Sequence, residues 1–413
     1  MAVIRPKIEM KDSGDVYIGK IPLNWRLASY KYFADSGMGL TILKEDVTDL
    51  GVPIYSATQD SSIFGYINNP KLKLGKGDLV IPARGNSIGC TTYVEDDVAT
   101  CTQTTIYSKV SGINPKFLFY CSIGLKEEWF YYVKTAIPQI TVSQVQNNKV
   151  PLPPLFEQQA IADYLDEFCS KIDEITSEAK SSIDAYKELR IAAVNDAVTH
   201  GIRNNAVKDS NVDWIGKIPD NWKIIITKRL FKIRKEIAGK EGYTVLSITQ
   251  KGIVPKVFGG KGQFAADYSN YQIVNKGDFA MNHMDLLTGW LDISDYDGVT
   301  SPDYRVFVPT GYEDIYAPYY KYVMQNCYSC RIYYGLGHGV AGMGRWRLPA
   351  DMFLNFKLPM PPKAEQKEIA DFLDKRTVEI DSLITEKEAL INDLEAYKKS
   401  LIYEVVTGKR RVV

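Results

Sequence analysis

Apolar residues recur at alternating steps of four and three along two long stretches of the chain, which is the spacing of a helix with one hydrophobic seam. The first stretch covers residues 157–199 and the second covers 365–407, and they align without a gap at a shift of 208 residues. A proline precedes each stretch and a glycine follows it, at Pro154, Pro362, Gly201 and Gly408. Because proline is tolerated at a helix start and glycine favours a helix end, the pattern predicts two long helices.

Each predicted helix needs a partner, since an isolated amphipathic helix is only marginally stable in water. The other copy is the nearest candidate, although Arg376 and Lys387 interrupt the seam of the second stretch. At about 1.5 Å per residue, each helix would span roughly 65 Å. The shared register and shared prolines favour an antiparallel pair with a pseudo-twofold axis over two unrelated surface helices.

Short β-type segments separated by turn signals fill residues 26–150 and 223–356, so each region is predicted to be a globular unit. A second repeat leads into each unit, where KDSGDVYIGKIPLNW at 11–25 matches KDSNVDWIGKIPDNW at 208–222. We interpret this lead-in motif as a compact turn docked by Trp25 or Trp222. The predicted fold class is α/β (α+β), with two globular domains separated by two long antiparallel helices that form a coiled coil. The predicted divisions are a first domain with its lead-in motif (1–150), a first spacer helix (151–201), a second domain with its lead-in motif (202–356) and a second spacer helix (357–413).

Composition narrows the class of protein. The chain has 413 residues, of which 45% are hydrophobic and 24% are charged, as in an ordinary globular protein. No apolar run approaches the ~20 residues of a membrane span, and the first residues lack the apolar core of a signal peptide. Six scattered Cys indicate reduced thiols, and a total of only three His argues against a metal site. The expectations are therefore a cytoplasmic protein, no membrane association and no metal.

Charge is distributed unevenly although the net charge is zero. Residues 157–199 carry ten Asp/Glu against four Lys/Arg, and residues 365–407 carry eleven against six, giving net charges of −6 and −5. The remainder must therefore carry +11. The globular parts are mildly basic, which is compatible with a local surface for DNA.

The motifs resemble a known family. A proline-rich LPxPP followed by EQxxIAxFLD and a long helix, present twice, looks like the S (specificity) subunit of type I restriction–modification enzymes. The IGKIPxNW lead-in is also similar to that family, although Val16–Tyr17 stands where the second copy has Asp213–Trp214. The resemblance is specific at the helix starts and lead-ins and weak inside the globular units, which in that family are target recognition domains.

The resemblance implies a DNA sequence-specificity subunit that binds double-stranded DNA and scaffolds two methyltransferase (M) subunits, with restriction (R) subunits joining through the complex. It implies no cofactor on this chain, with S-adenosylmethionine, ATP and Mg expected only on the partner subunits. The diverged globular units predict an asymmetric, bipartite target. Half-sites on one face of DNA lie about 34 Å apart, which a helix pair of this length could span.

A catalytic role finds little support in the sequence. We find no NPPY-type tetrapeptide for transfer of a methyl group to a base amine, and the glycine-rich GLGHGVAGMGR (335–345) lacks the GK[ST] of a phosphate loop, so we interpret it as a mobile loop. The chain is therefore expected not to be an enzyme by itself. Two alternatives stay open, namely a single-chain methyltransferase or nuclease with an unrecognised catalytic motif, and a coiled-coil scaffold without a DNA role.

Candidate DNA contacts are polar and basic residues in loops beside strand ends, because Lys and Arg hold phosphates while Asn, Gln and some Arg read base edges. In the first unit they are Gln59, Lys71, Lys73, Arg84, Asn86, Ser87, Gln103 and Thr104. In the second they are Lys256, Lys261, Asn282, His283, Arg305, His338, Arg345 and Trp346. Each of them taken singly is also compatible with an ordinary solvated surface residue.

Candidate partner contacts are apolar residues that lie off the helix seam at matched repeat positions: Tyr164, Val194, Val198, Phe372, Ile402 and Val406. Exposed apolar groups that recur in this way would indicate an interface for the methyltransferase subunits. The alternative is that these side chains pack on the recognition domains of this chain.

Overall fold

The computed structural model describes residues 3–60, 62–130, 138–256, 267–339 and 346–412. The helices are α1 (Pro115–Gly124), α2 (Lys126–Trp129), α3 (Val142–Asn147), α4 (Leu155–His200), α5 (Thr227–Leu230), α6 (Ala317–Ser329), α7 (Ala350–Asn355) and α8 (Lys363–Val406). Short 3-10 turns lie at Lys7–Glu9, Tyr30–Tyr32, Lys44–Asp46, Gly85–Ser87 and Tyr333–Leu336. None of these helices is both long enough and apolar enough to cross a membrane, a finding that covers the described residues.

The strands are mostly short. Those before α4 are β1 (Val3–Ile4), β2 (Met10–Asp12), β3 (Lys20–Pro22), β4 (Arg26–Ser29), β5 (Ala34–Met38), β6 (Val52–Tyr55), β7 (Ile63–Ile67), β8 (Leu79–Pro82), β9 (Thr92–Tyr93), β10 (Thr100–Cys101), β11 (Thr105–Val110) and β12 (Lys149–Leu152). Those after α4 are β13 (Val207–Asp209), β14 (Lys217–Pro219), β15 (Lys223–Ile226), β16 (Phe231–Arg234), β17 (Leu246–Thr249), β18 (Gly252–Pro255), β19 (Gln272–Val274), β20 (Phe279–Met281), β21 (Leu291–Ile293), β22 (Gly298–Thr300), β23 (Arg305–Pro309), β24 (Lys357–Met360) and β25 (Arg410–Arg411).

The chain forms two compact units, and each long helix is divided between them. The first unit contains Met1–Lys180 with Glu388–Val413, and the second contains Ser181–Lys387. Each unit therefore combines one globular domain with the start of one long helix and the end of the other, which is the pairing expected of antiparallel helices. The two predicted helices are confirmed, and Gly201 and Gly408 end them with φ of +78° and +72°.

The repeated motif at each helix start has a structural role. The side-chain oxygen of Gln158 accepts from the backbone N–H of Asn114 at 2.9 Å, and its amide nitrogen donates to the carbonyl of Pro153. Gln366 does the same with Tyr316 (2.8 Å) and Pro361. Each glutamine thus ties the first turn of a long helix to the N-terminal end of α1 or α6.

The aspartate of the same motif makes a second contact with α1 or α6, further along that helix. The Tyr120 hydroxyl donates to Asp166 at 2.6 Å in the first unit, and the Tyr322 hydroxyl donates to Asp374 at 2.7 Å in the second. The motif is repeated because the same docking of α1 or α6 on a long helix occurs in both units.

Ion pairs across the long helices also repeat at the shift of 208 residues. Lys398 donates to Asp173 at 2.6 Å in the first unit, and Arg190 donates to Asp381 at 3.0 Å in the second. The aspartates occupy equivalent repeat positions, and so do the two basic residues. Because these pairs are largely exposed, each contributes only about 0–1 kcal/mol of stability, and their main effect is on the register of the helices.

The predicted seam is buried unevenly along the two long helices. Seam residues near the helix ends, such as Leu165 and Leu373, are fully buried against the globular domains. Further along, Ile172, Ala179, Ile183 and Ile380 are also buried, whereas four other seam residues are 39–46% exposed, namely Leu189, Leu383, Leu390 and Tyr397. The domains, rather than the facing helix alone, provide the apolar surface that covers the seam.

Both units contain a four-stranded antiparallel sheet with the same strand order. The order is β5-β11-β8-β9 in the first unit and β16-β23-β20-β21 in the second. The third strands in this order, β8 and β20, are buried along their whole length, so they pass through the core and emerge at an edge of the sheet. The lead-in tryptophans Trp25 and Trp222 are both buried, as predicted.

Strand β1 pairs antiparallel with β25 in the first unit, where Val3 lies opposite Arg411. The backbone N–H of Arg5 donates to the carbonyl of Lys409 at 2.9 Å. This pairing holds the Arg5 side chain beside the start of α4, where its guanidinium pairs with Glu157, which also accepts from the Trp25 indole N–H.

Candidate DNA interface

In each unit one place brings several of the predicted DNA contacts together, and we call it the recognition edge. In the first unit it consists of the turn after β8 (residues 83–87) and the segment before α3 (138–140). In the second unit it consists of the turn after β20 (282–288) and the segment before α7 (346–348). Two backbone hydrogen bonds join the segments in each unit. In the first unit the N–H of Ile140 donates to the carbonyl of Ala83 (2.9 Å) and that of Gly85 to Pro138 (3.1 Å). In the second the N–H of Leu348 donates to the carbonyl of His283 (3.0 Å) and that of Leu286 to Trp346 (3.2 Å). The two edges are therefore built alike from different residues.

The recognition edge of the first unit adjoins a network of neutral polar side chains. The Gln59 amide donates to the carbonyl of Asn86 at 3.3 Å. Nearby, the Thr41 hydroxyl donates to the Gln103 side chain at 2.8 Å, and the hydroxyls of Thr102 and Thr104 lie 2.8 Å apart. The backbone N–H of Ala83 donates to the carbonyl of Thr104, which joins this network to the end of β8.

Six of the eight predicted residues of the first unit thus lie together: Gln59, Arg84, Asn86, Ser87, Gln103 and Thr104. Arg84 and Asn86 are exposed, so their side chains can reach a ligand. Lys71 and Lys73 are exposed on the connection from β7 to β8, and no contact among the described residues joins them to the edge.

Ser87 is a correction. Its side chain is buried and its hydroxyl donates to the carbonyl of Ala57 at 2.9 Å. The hydroxyl holds the turn in place and is not available to DNA.

The second recognition edge is richer in aromatic and basic groups. The Tyr328 hydroxyl donates to the carbonyl of Asn282 at 2.7 Å, and the Asn282 side-chain oxygen accepts from the backbone N–H of Met284 at 3.2 Å. His338 and Arg347 form a backbone pair through two hydrogen bonds of 2.9 and 3.0 Å, and both are exposed. Polar side chains are thus held on a well-ordered backbone.

Trp346 is half-buried at the base of this edge. Its indole N–H donates to the carbonyl of Tyr334 at 2.7 Å, and the two rings lie 5.5 Å apart at 34°. Because its only polar hydrogen is already paired, Trp346 can offer a ligand its ring but no hydrogen bond.

Arg305 is a second correction. The residue is 4% exposed, and its guanidinium donates to the carbonyl of Leu348 at 2.9 Å and lies 4.9 Å over the ring of Phe353. Burial lowers its pKa to about 10. Such a buried group cannot reach DNA, so Arg305 instead fixes the segment before α7 against β23.

His283 lies beside this buried arginine and is uncharged at neutral pH. Burial, reinforced by the positive charges of Arg305 and Arg347, lowers the pKa of His283 to about 4. Its Nδ1 atom is buried and has no hydrogen-bond partner in the part of the chain that the structure describes. His283 therefore offers a neutral imidazole to any ligand.

This pKa shift predicts a pH dependence of stability. The pKa of His283 in the folded state lies below its ordinary value of about 6.5, so the unfolded chain binds more protons between these limits. The stability due to neutral His283 is therefore complete above about pH 6.5 and is lost as the pH falls towards 4. Unfolding in urea at a series of pH values would measure this contribution as the difference in the free energy of unfolding between wild type and His283→Gln. A difference that does not change with pH would contradict the expectation.

The remaining predictions for the second unit fall elsewhere. Lys256 follows β18 and is half-buried, and its N–H donates to the carbonyl of Val245. Lys261 and Arg345 lie outside the described residues, as does much of the glycine-rich segment 335–345.

Two exposed residues at the recognition edges were missed by the sequence analysis: Gln139 and Arg347. Each immediately precedes a buried residue, Ile140 or Leu348, whose backbone N–H donates a hydrogen bond to the chain just after β8 or β20. The shift of 208 residues that relates the long helices also relates α3 to α7 and Gln139 to Arg347. Extending the repeat backwards from the helices would have found them.

The predicted partner contacts are largely wrong. Val194 and Val198 are buried in the core of the second unit, and Ile402 and Val406 are buried in the core of the first. These residues pack on the globular domains because α1 and α6 approach the long helices closely. Tyr164 is half-buried beside Phe168, and only Phe372 is clearly exposed, at 42%.

Comparison with known proteins supports the interpretation of the repeats. The chain matches the family model described as "Type I restriction modification DNA specificity domain" twice, over residues 22–185 and 219–395. It is 25% identical to the type I restriction enzyme MjaVIII specificity subunit of Methanocaldococcus jannaschii, covering 85% of this chain and 83% of that protein. It is also 25% identical to the putative MjaX specificity subunit of the same organism, covering 96% of each.

Solved structures show the same fold. A chain from work on complex assembly and conformational transition of the type I restriction–modification system aligns with a TM-score of 0.70 at 13% identity, covering 94% of this chain and 98% of that chain. The HsdS subunit from Thermoanaerobacter tengcongensis aligns with a TM-score of 0.51 at 13% identity over the same shares.

Repeated helical supports that each carry a domain with a polar recognition edge define a DNA specificity protein. The chain belongs to the family of type I restriction–modification DNA specificity proteins, and it serves DNA sequence specificity.

Proposed function

We propose that the chain reads an asymmetric, bipartite DNA target, with one half-site for each recognition edge. The observation that carries this proposal is that edges of identical construction present different side chains. Exposed Arg84 and Gln103 and neutral amides dominate the first, whereas His283, His338 and a tryptophan ring dominate the second. Different donors and acceptors on equivalent frames select different bases, so the two half-sites differ in sequence.

We further propose that this chain performs no catalysis and carries no cofactor, and that S-adenosylmethionine, ATP and Mg belong to partner subunits. Two methyltransferase subunits bind one chain, and restriction subunits join through that complex. The support is the duplication itself, since a docking surface on one helix start has an equivalent on the other. Tyr164 and Phe372 stay the candidate contacts because they are not fully buried.

The alternative functions give different results with the purified chain. A single-chain methyltransferase or nuclease would transfer methyl groups from S-adenosylmethionine or cleave DNA without any partner. A scaffold without a DNA role would give no shift with duplex DNA at any salt concentration.

The decisive experiment exchanges one recognition domain. Replacing residues 26–150 by the first domain of another family member is expected to change the bases selected in one half-site only. The junctions fall within the β4–β12 pair, which closes the domain, so the exchanged part retains its own sheet and recognition edge. Selection of bound duplexes from a randomised library reads out both half-sites. A change in both halves would show that the domains do not read DNA independently.

A further inference from the structure

Equivalent positions of the two recognition edges carry Gln139 in the first unit and Arg347 in the second. Each is exposed and is followed by a buried residue whose N–H bonds to the residue at the end of β8 or β20. Neither side chain has a hydrogen bond or ion pair among the described residues. A short helix follows each at the same distance, α3 from Val142 or α7 from Ala350.

The backbone under both side chains is firmly held. In the first unit the Thr141 side chain and Gln144 form a reciprocal cap on α3, two residues beyond Gln139. In the second, the buried Arg305 guanidinium holds the carbonyl of Leu348, next to Arg347. A free side chain on a fixed backbone is what selective recognition requires, because little of the binding free energy is then lost in ordering the frame.

The two residue types differ in charge. Arg347 can add the electrostatic part of phosphate binding and Gln139 cannot, although either side chain can donate a hydrogen bond to a phosphate oxygen. Glutamine and arginine share a different ability, which is to make two hydrogen bonds to one base edge. Glutamine does so with N6 and N7 of adenine, and arginine does so with O6 and N7 of guanine in the major groove.

We propose that Gln139 and Arg347 are the equivalent base-reading residues of the two half-sites, with Gln139 selecting adenine and Arg347 selecting guanine. This inference rests on the proposed function of the chain and adds to it the residues and the bases. Neighbouring groups refine the selection: Arg84 lies opposite Gln139 across a backbone bridge, and His338 lies opposite Arg347.

The test exchanges the two side chains in the full chain, as Gln139→Arg and Arg347→Gln separately, with selection from a randomised duplex library. Gln139→Arg should convert one adenine of the first half-site to guanine and leave the second half-site unchanged. Arg347→Gln should convert one guanine of the second half-site to adenine. Each bidentate contact should give about a tenfold preference or more for the matching base.

A third variant separates base reading from charge. Arg347→Lys keeps the positive charge but loses the planar fork, so it should lose the guanine preference while the dependence of affinity on salt stays the same. Circular dichroism and thermal unfolding of each variant establish that it is folded, and Lys375→Gln serves as an exposed control on α8, away from both recognition edges.

Two outcomes would overturn the inference. If Arg347→Gln weakens binding to all sequences equally and lowers the salt slope by about one unit, Arg347 holds a phosphate. If all three variants select the wild-type sequence, the residues do not contact DNA. Failure of the proposed function would look different, because the wild-type chain itself would then enrich no sequence.

Discussion

Replacing Glu157 by glutamine is expected to lower the free energy of unfolding of the first unit by about 3 kcal/mol. Glu157 is buried, and its two carboxylate oxygens accept from the Arg5 guanidinium and from the Trp25 indole N–H, the latter at 3.0 Å. Removing the carboxylate charge leaves the buried Arg5 side chain with only the more distant and more exposed Glu9, at 3.8 Å, as a counter-charge. Poorly compensated buried charges are strongly destabilising.

The second unit provides the matched control. Glu365 occupies the equivalent position but accepts only from Asn221, at 3.2 Å, and one carboxylate oxygen and the indole N–H of Trp222 have no partner among the described residues. Within the described part of the chain, no arginine pairs with Glu365 as Arg5 pairs with Glu157. Glu365→Gln should therefore change stability by less than about 1 kcal/mol, since it removes a buried charge that lacks a cation.

Hydrogen exchange, recorded separately for each unit during thermal unfolding, measures the effects of Glu157→Gln and of Glu365→Gln on stability. A loss of 3 kcal/mol corresponds to roughly 6–12 °C in the melting temperature of a unit of this size. The double variant Arg5→Met/Glu157→Gln should recover part of the loss, because both buried charges are then gone. Equal destabilisation by Glu157→Gln and Glu365→Gln would refute the role assigned to Arg5.

Ile402→Ala is expected to destabilise the first unit by about 2–5 kcal/mol, whereas Phe372→Ala should cost under about 1 kcal/mol. Ile402 is 1% exposed in the core of the first unit, and a Cβ placed on Gly124 of α1 would lie 3.1 Å from its Cγ2 atom. Truncation of Ile402 leaves a cavity beside Gly124, which has no side chain to fill it. Phe372, at 42% exposure, leaves little space behind when shortened.

The same pair of positions tests the proposed partners. Phe372→Asp should leave stability nearly unchanged while reducing the number of methyltransferase subunits bound per chain from two to one. Native mass spectrometry of the assembled complex measures that number, and Asn392→Asp, at an exposed neutral residue further along the same helix, controls for one added negative charge. A complex that retains both subunits with Phe372→Asp would remove this residue from the docking surface.

The sequence alone determined the parts of this protein that depend on local pattern and repetition. The seam, the flanking prolines and the terminal glycines predicted α4 and α8 to within a few residues, because helix periodicity and end signals are local properties. The lead-in motifs likewise predicted buried Trp25 and Trp222. The repeated glutamine and aspartate marked the helix starts, although their partners on α1 and α6 could not be read from spacing.

Only the tertiary structure decided which apolar and polar groups reach the surface. Ile402 and Val198 lie off the seam and were predicted to face a partner, but the globular domains cover them. Arg305 follows a loop in the sequence and was predicted to contact DNA, yet its strand carries it into the core. The shift of 208 residues already aligns Gln139 with Arg347, but only the fold shows that both are exposed beside the ends of β8 and β20. Burial depends on what a distant part of the chain brings to each side chain, and that information is absent from local periodicity.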